Sequence, residues 1–143
     1  MKKVICLIVV ALMVASVAFA AGKMKITAKD LPAMKGTWEG ILGFGQTEQY
    51  GTSPAKLEIL NDAAPVKIKF TVTNIPAALA PQIGAQPGQN VFEGEGVITT
   101  QGTLFFTGPA KNFIVVTLLA KDKIHVNYMY NVMQGDGEFK KKK

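Results

Sequence analysis

Gly36-Thr37-Trp38-Glu39-Gly40-Ile41-Leu42-Gly43-Phe44 holds the only tryptophan of the 143 residues and alternates in character along its length. Trp38, Leu42 and Phe44 fall on one side with Gly40 between them, and Thr37, Glu39 and Ile41 fall on the other, the period of a half-buried strand. Glycines at positions 36, 40, 43 and 45 are too many for a flat ribbon. Such a strand is strongly coiled, or it admits a second backbone at close range, as at a barrel corner. The stretch therefore predicts a curved first strand with an indole on its inner side.

Seven further strands follow downstream. The second, Ala55 to Leu60, turns Ala55, Leu57 and Ile59 one way, and the third alternates Val66, Ile68, Phe70 and Val72 with Lys67, Lys69, Thr71 and Thr73. The fourth, Val91 to Thr99, carries Phe92, Gly94, Gly96 and Ile98 on its inner face and pairs through a tight turn with a fifth, Thr103 to Gly108. The sixth and seventh, Asn112 to Ala120 and Lys123 to Asn131, are joined at Lys121-Asp122, and the eighth runs from about Met133 to Lys140. If the two-residue loop sets the register, Phe113, Val115, Thr117 and Leu119 face Tyr130, Tyr128, Val126 and Ile124 on the inner side. Ile114, Val116, Leu118 and Met129 then form a second apolar side exposed to water, a candidate surface for a protein partner or a homo-oligomer. Eight short strands with no long helical period predict an all-β fold, an eight-stranded antiparallel up-and-down barrel, with a β-sandwich as the alternative.

Between the third and fourth strands, Asn74 to Asn90 carries no charge, three prolines and the apolar residues Ile75, Leu79 and Ile83. A loop of this length and character is expected to be functional, and these three residues are lid candidates.

Upstream, Met1-Lys2-Lys3, the apolar run Val4 to Val14 and the small-residue ending at Ala18 and Ala20 have the form of a secretory signal, cut before Ala21. The expected organisation is a leader over 1–20, a lead-in segment with one helical turn over 21–35, a barrel over 36–139 and a basic tail over 140–143. Asp30 is expected to cap the turn through Leu31, Pro32, Ala33 and Met34. The sole cysteine, Cys6, leaves with the leader, so no disulfide supports the exported chain, which is expected in the periplasm or outside the cell without a transmembrane segment. Fourteen of the sixteen lysines follow the leader, against ten carboxylates and no arginine. That balance argues against nucleic acid as a partner, because base-edge and phosphate recognition favour the guanidinium fork.

With Gly36, Thr37 and Trp38 matching G-x-W at the head of the first strand, after a short helical turn, the chain resembles the calycin barrels, the group of lipocalins and streptavidin-like proteins. The opening Gly-Thr-Trp-Glu-Gly and closing Gly-Asp-Gly-Glu-Phe-Lys also resemble small secreted bacterial domains of this shape. The resemblance implies an eight-stranded barrel plugged at one end by the tryptophan, with a ligand at the other. Neither the T-D-Y-x-x-Y segment nor the late arginine of lipocalins is present, nor an array matching biotin recognition, so no ligand identity carries over.

Catalytic chemistry has few residues to work with. One serine, Ser53, and one histidine, His125, remain after the leader, and nothing around Ser53 marks an activated nucleophile. Lone His125 makes a transition-metal site improbable, and the pairs Glu93/Glu95 and Asp136/Glu138 read as solvated strand faces beside lysines. No catalytic residue, metal or cofactor is expected. The expected function is non-catalytic binding of a small apolar or amphiphilic molecule, with Trp38, Phe70, Phe92, Phe113, Tyr128 and Tyr130 as the lumen candidates.

Overall fold

The computed structural model describes residues 23–46, 48–75, 77–83, 88–108, 112–130 and 133–143. The expected leader and its expected cleavage site lie outside them. A 3-10 turn, Ala28–Asp30, leads into a single-turn helix α1, Leu31–Met34, and then eight strands follow. They are β1 (Gly36–Phe44), β2 (Thr52–Ile59), β3 (Val66–Ile75), β4 (Gly88–Ile98), β5 (Leu104–Thr107), β6 (Asn112–Ala120), β7 (Lys123–Tyr130) and β8 (Met133–Lys141). Each pairs antiparallel with its sequence neighbour, and β8 returns to β1, so the sheet is a closed up-and-down barrel and not a sandwich.

Closure at the β1–β8 seam depends on glycine. A Cβ on Gly137 would sit 1.9 Å from the Ile41 carbonyl oxygen, and one on Gly40 would sit 2.5 Å from that of Glu138. Two backbones approach there at a distance that only hydrogen side chains allow, which is the use expected of a glycine-rich first strand.

Inward side chains form one continuous apolar cluster, and the faces foreseen for β1, β2 and β3 are the faces observed. The register of β6 on β7 is different. The Lys121-Asp122 turn does pair Ala120 with Lys123, but a bulge follows at once, so that Leu118 opposes Ile124, Val116 opposes Val126 and Ile114 opposes Tyr128. One inserted residue, Leu119, reverses every side chain beyond it. Ile114, Val116 and Leu118 are therefore buried in the core and do not form an exposed face. Phe113 lies on the outer wall, its ring 5.8 Å from that of Phe105. Both faces of β6 are largely apolar, so the bulge and not side-chain type decides which of them turns inward.

The barrel has two unlike ends. At the plug end, the lead-in crosses the opening, with the Met24 N–H donating to the Leu118 carbonyl and the Ile26 N–H to that of Gly102, each at 2.9 Å. Ile26, Leu31 and Met34 point into the core beside Trp38. Asp30 does not reach forward to cap α1; its carboxylate instead accepts from the Thr27 N–H at 2.8 Å and the Thr27 hydroxyl at 2.7 Å. At the opposite, lid end, the segment after β3 tucks Leu79 and Ala80 against the core and forms a 3-10 turn, Ala80–Ile83. Among the described residues, no helix is long and apolar enough to cross a membrane.

Candidate functional site

Trp38 is wholly buried at the plug end. Its Nε1–H donates to the Met34 carbonyl at 2.8 Å, tying the indole to α1, and the Lys141 ammonium lies 5.6 Å from the ring centroid on the outside. With its one polar atom satisfied within the chain, the indole fills the plug end and leaves no open donor there. β8 runs on to Lys141, whose Nζ also donates to the Ala33 carbonyl, and Lys142 pairs with Glu39 at 2.9 Å.

The lid half of the interior has different chemistry. Ser53 on β2, Asn112 on β6 and Tyr128 on β7 all face inward and are buried, yet Ser53 Oγ, Asn112 Oδ1 and the Tyr128 hydroxyl have no hydrogen-bond partner among the described residues. β2 and β6 stand four strands apart around the barrel, so Ser53 and Asn112 look into the lumen from opposite walls. Burial pushes the Tyr128 phenol above its ordinary range; the neighbouring Asn112 amide draws it back and Tyr130 adds to the rise. Neither Asn112 Oδ1 nor the Tyr128 hydroxyl has a hydrogen-bond partner among the described residues. Unpartnered buried polar atoms are destabilising by about 1 to 3 kcal/mol each, so three in one half of a small core call for partners, whether ordered water or another polar group.

Apolar surroundings complete the site. Phe70 stacks on Tyr128 with centroids 5.9 Å apart at 28°, and Phe139 lies 6.2 Å from Phe70. Phe92 faces inward, while Tyr130 sits half-buried at the rim against the core. Ile75 and Leu79 are buried beneath the lid segment; the side chain of Ile83 lies outside the described residues. Of the lumen candidates, Phe70, Phe92, Tyr128 and Tyr130 gather in this half, Trp38 stands at the far end, and Phe113 is outside the barrel. A separate cavity of about 690 Å³ opens at the lid-end rim, between the β1–β2 connection and β8, lined by Gln46, Gln49, Tyr50, Met133, Gln134 and Asp136.

Sequence reasoning considered Ser53 only as a nucleophile and did not single out Asn112. Alternation could have placed Ser53 on the inner side, two residues before Ala55. Asn112 could not be placed, because its face depends on the bulge. Ser53 and His125 do not meet: His125 is on the outer wall of β7, with Nε2 3.3 Å from Asp136 Oδ2. Glu93 and Glu95 lie opposite Lys69 and Lys67 on β3, as foreseen, with a Lys67–Glu95 ion pair at 3.7 Å. No cluster of metal-ligating side chains occurs among the described residues.

The chain belongs by shape to the closed eight-stranded antiparallel barrels. No protein-family model and no curated protein matches it. Among solved structures it is similar to a de novo designed fluorescence-activating β-barrel, with 12% identity and a TM-score of 0.53 over 78% of this chain and 96% of that one. At that identity the likeness is one of fold.

Proposed function

We propose that this protein is a non-catalytic, exported carrier that holds one small amphiphilic molecule in the lid half of its barrel, in the manner of a calycin. The observation that carries the reading is the set of three unpartnered buried oxygens of Ser53, Asn112 and Tyr128 in an otherwise apolar interior. The ligand's polar group meets those oxygens, its apolar part lies against Phe70 and Phe92, and Ile75 and Leu79 cover it. Entry then requires the lid segment to lift.

Native mass spectrometry of protein taken from its own host tests this. The expected result is a retained small molecule that is lost from a Ser53→Ala/Tyr128→Phe double variant of unchanged fold. Protein carrying nothing, with ordered waters bridging the three oxygens in a high-resolution crystal structure, overturns it, because water then supplies the missing partners.

A second reading is self-association through the outer wall of β4, β5 and β6. Val97, Phe105 and Val115 lie in register there, with the Phe113 ring tilted against that of Phe105 and Val97 53% exposed. Sedimentation at micromolar concentration tests it: a dimer dispersed by Phe105→Ser supports this reading, and a monomer removes it.

A further inference from the structure

We propose that the plug end of the barrel is a docking face for an anionic lipid bilayer surface. Lysines are sorted by position on this molecule. On the walls, Lys56 pairs with Glu58 at 3.2 Å, Lys67 pairs with Glu95, and Lys69 lies opposite Glu93. At the plug end, Lys23 and Lys25 flank Met24, Lys29 and Lys35 bracket the helical lead-in, Lys121 sits in the β6–β7 turn, and Lys140 ends the outer face of β8. None of these six forms an ion pair among the described residues. The carboxylates at the same end are fewer. Glu39 and Glu138 are taken by Lys142 and Lys123, which leaves Asp62, Asp122 and the Thr27-bound Asp30.

The face is continuous. The lead-in runs from the end of β6 to the β4–β5 turn, and the Lys141 N–H donates to the Asp122 carbonyl, joining the end of β8 to the β6–β7 turn. Met24, 51% exposed, stands between Lys23 and Lys25, and Leu60, 52% exposed, lies at the same end beside the Lys67–Glu95 pair. Unpaired ammonium groups around isolated apolar side chains suit a bilayer interface, where the charges meet acidic headgroups and the apolar groups enter the acyl boundary. Nucleic acid would use the charges but gain nothing from Met24 and Leu60, and the chain has no arginine for discrete phosphate recognition. The ion-paired walls keep the barrel on the membrane surface and not within it. Docked this way, the protein turns its lid end toward the aqueous side.

Co-sedimentation of the full chain with phosphatidylcholine vesicles, with and without phosphatidylglycerol, tests the proposal at low and high salt. The expected result is binding at least about tenfold stronger to the anionic vesicles and lost at high salt. Lys29→Gln, Lys35→Gln and Lys121→Gln together should weaken it on the order of 100-fold, while the wall variant Lys56→Gln/Lys69→Gln leaves it unchanged. A Met24→Ser/Leu60→Ser variant should weaken it several-fold without altering the salt dependence. Lys2 and Lys3 of any leader still attached would themselves favour anionic vesicles, so the dependence on lipid composition is assigned to the face by its loss in the lysine variants. Circular dichroism and Trp38 emission report the fold; if the triple variant is unfolded, each single lysine variant must weaken binding by several-fold. Equal binding to neutral and anionic vesicles, or a folded triple variant with full affinity, overturns the proposal. So does retention on heparin without vesicle binding, which would make the face a general polyanion site.

Discussion

Trp38 and Tyr128 show how differently two buried aromatic residues can serve one core. The Trp38 N–H is satisfied by Met34, and Trp38→Ala should destabilise the fold by about 3 to 5 kcal/mol in urea titration. The Tyr128 hydroxyl is unsatisfied, so Tyr128→Phe should leave the free protein equally or more stable, by up to about 1 kcal/mol, while weakening ligand retention. A purely structural tyrosine would show the opposite sign. The same phenol has a pH signature. Its folded pKa is raised, so the unfolded chain loses this proton first and stability falls as pH rises above about 10. Thermal melts across that range should show the loss, and Tyr128→Phe should shrink it. The inward side of both residues was legible from strand alternation. That one finds a hydrogen-bond partner and the other does not was not legible, because the partners stand on other elements.

At the scale of the elements, two strands carry the decisions. The β1–β8 seam closes through Gly40 and Gly137, and Gly137→Ala should destabilise by at least about 2 kcal/mol, since the clash is with backbone and cannot be relieved by a rotamer change. Denaturant titration against Gly36→Ala separates this from ordinary glycine loss, because a Cβ at Gly36 meets only the end of the flexible Lys141 side chain and the remaining strain comes from its φ of +123°. β6 is where the sequence reading went wrong. Both of its faces are apolar, so alternation could not choose between them, and a bulge too local to leave a sequence signal made the choice. Ile114→Ala should accordingly cost about 2 to 5 kcal/mol, with Val115→Ala well below that on the outer wall.

Across the whole molecule, a closed ring of eight strands around one core is expected to unfold as one cooperative unit. Trp38 emission and far-ultraviolet circular dichroism should therefore trace coincident unfolding curves, and a lag between them would show that the plug end opens separately. The ring also sorts chemistry by end: an internally satisfied plug under a lysine-rich face, and a lidded half with open polar groups. The amino-acid sequence by itself determined the strand count, the glycine-rich first strand and the burial of Trp38, because period-two alternation and glycine content are local properties. Only the tertiary structure decided which face of β6 is inside, which polar atoms converge on the lumen and which lysines share one end. Those relations are set by closure and register, which bring together residues far apart in the chain.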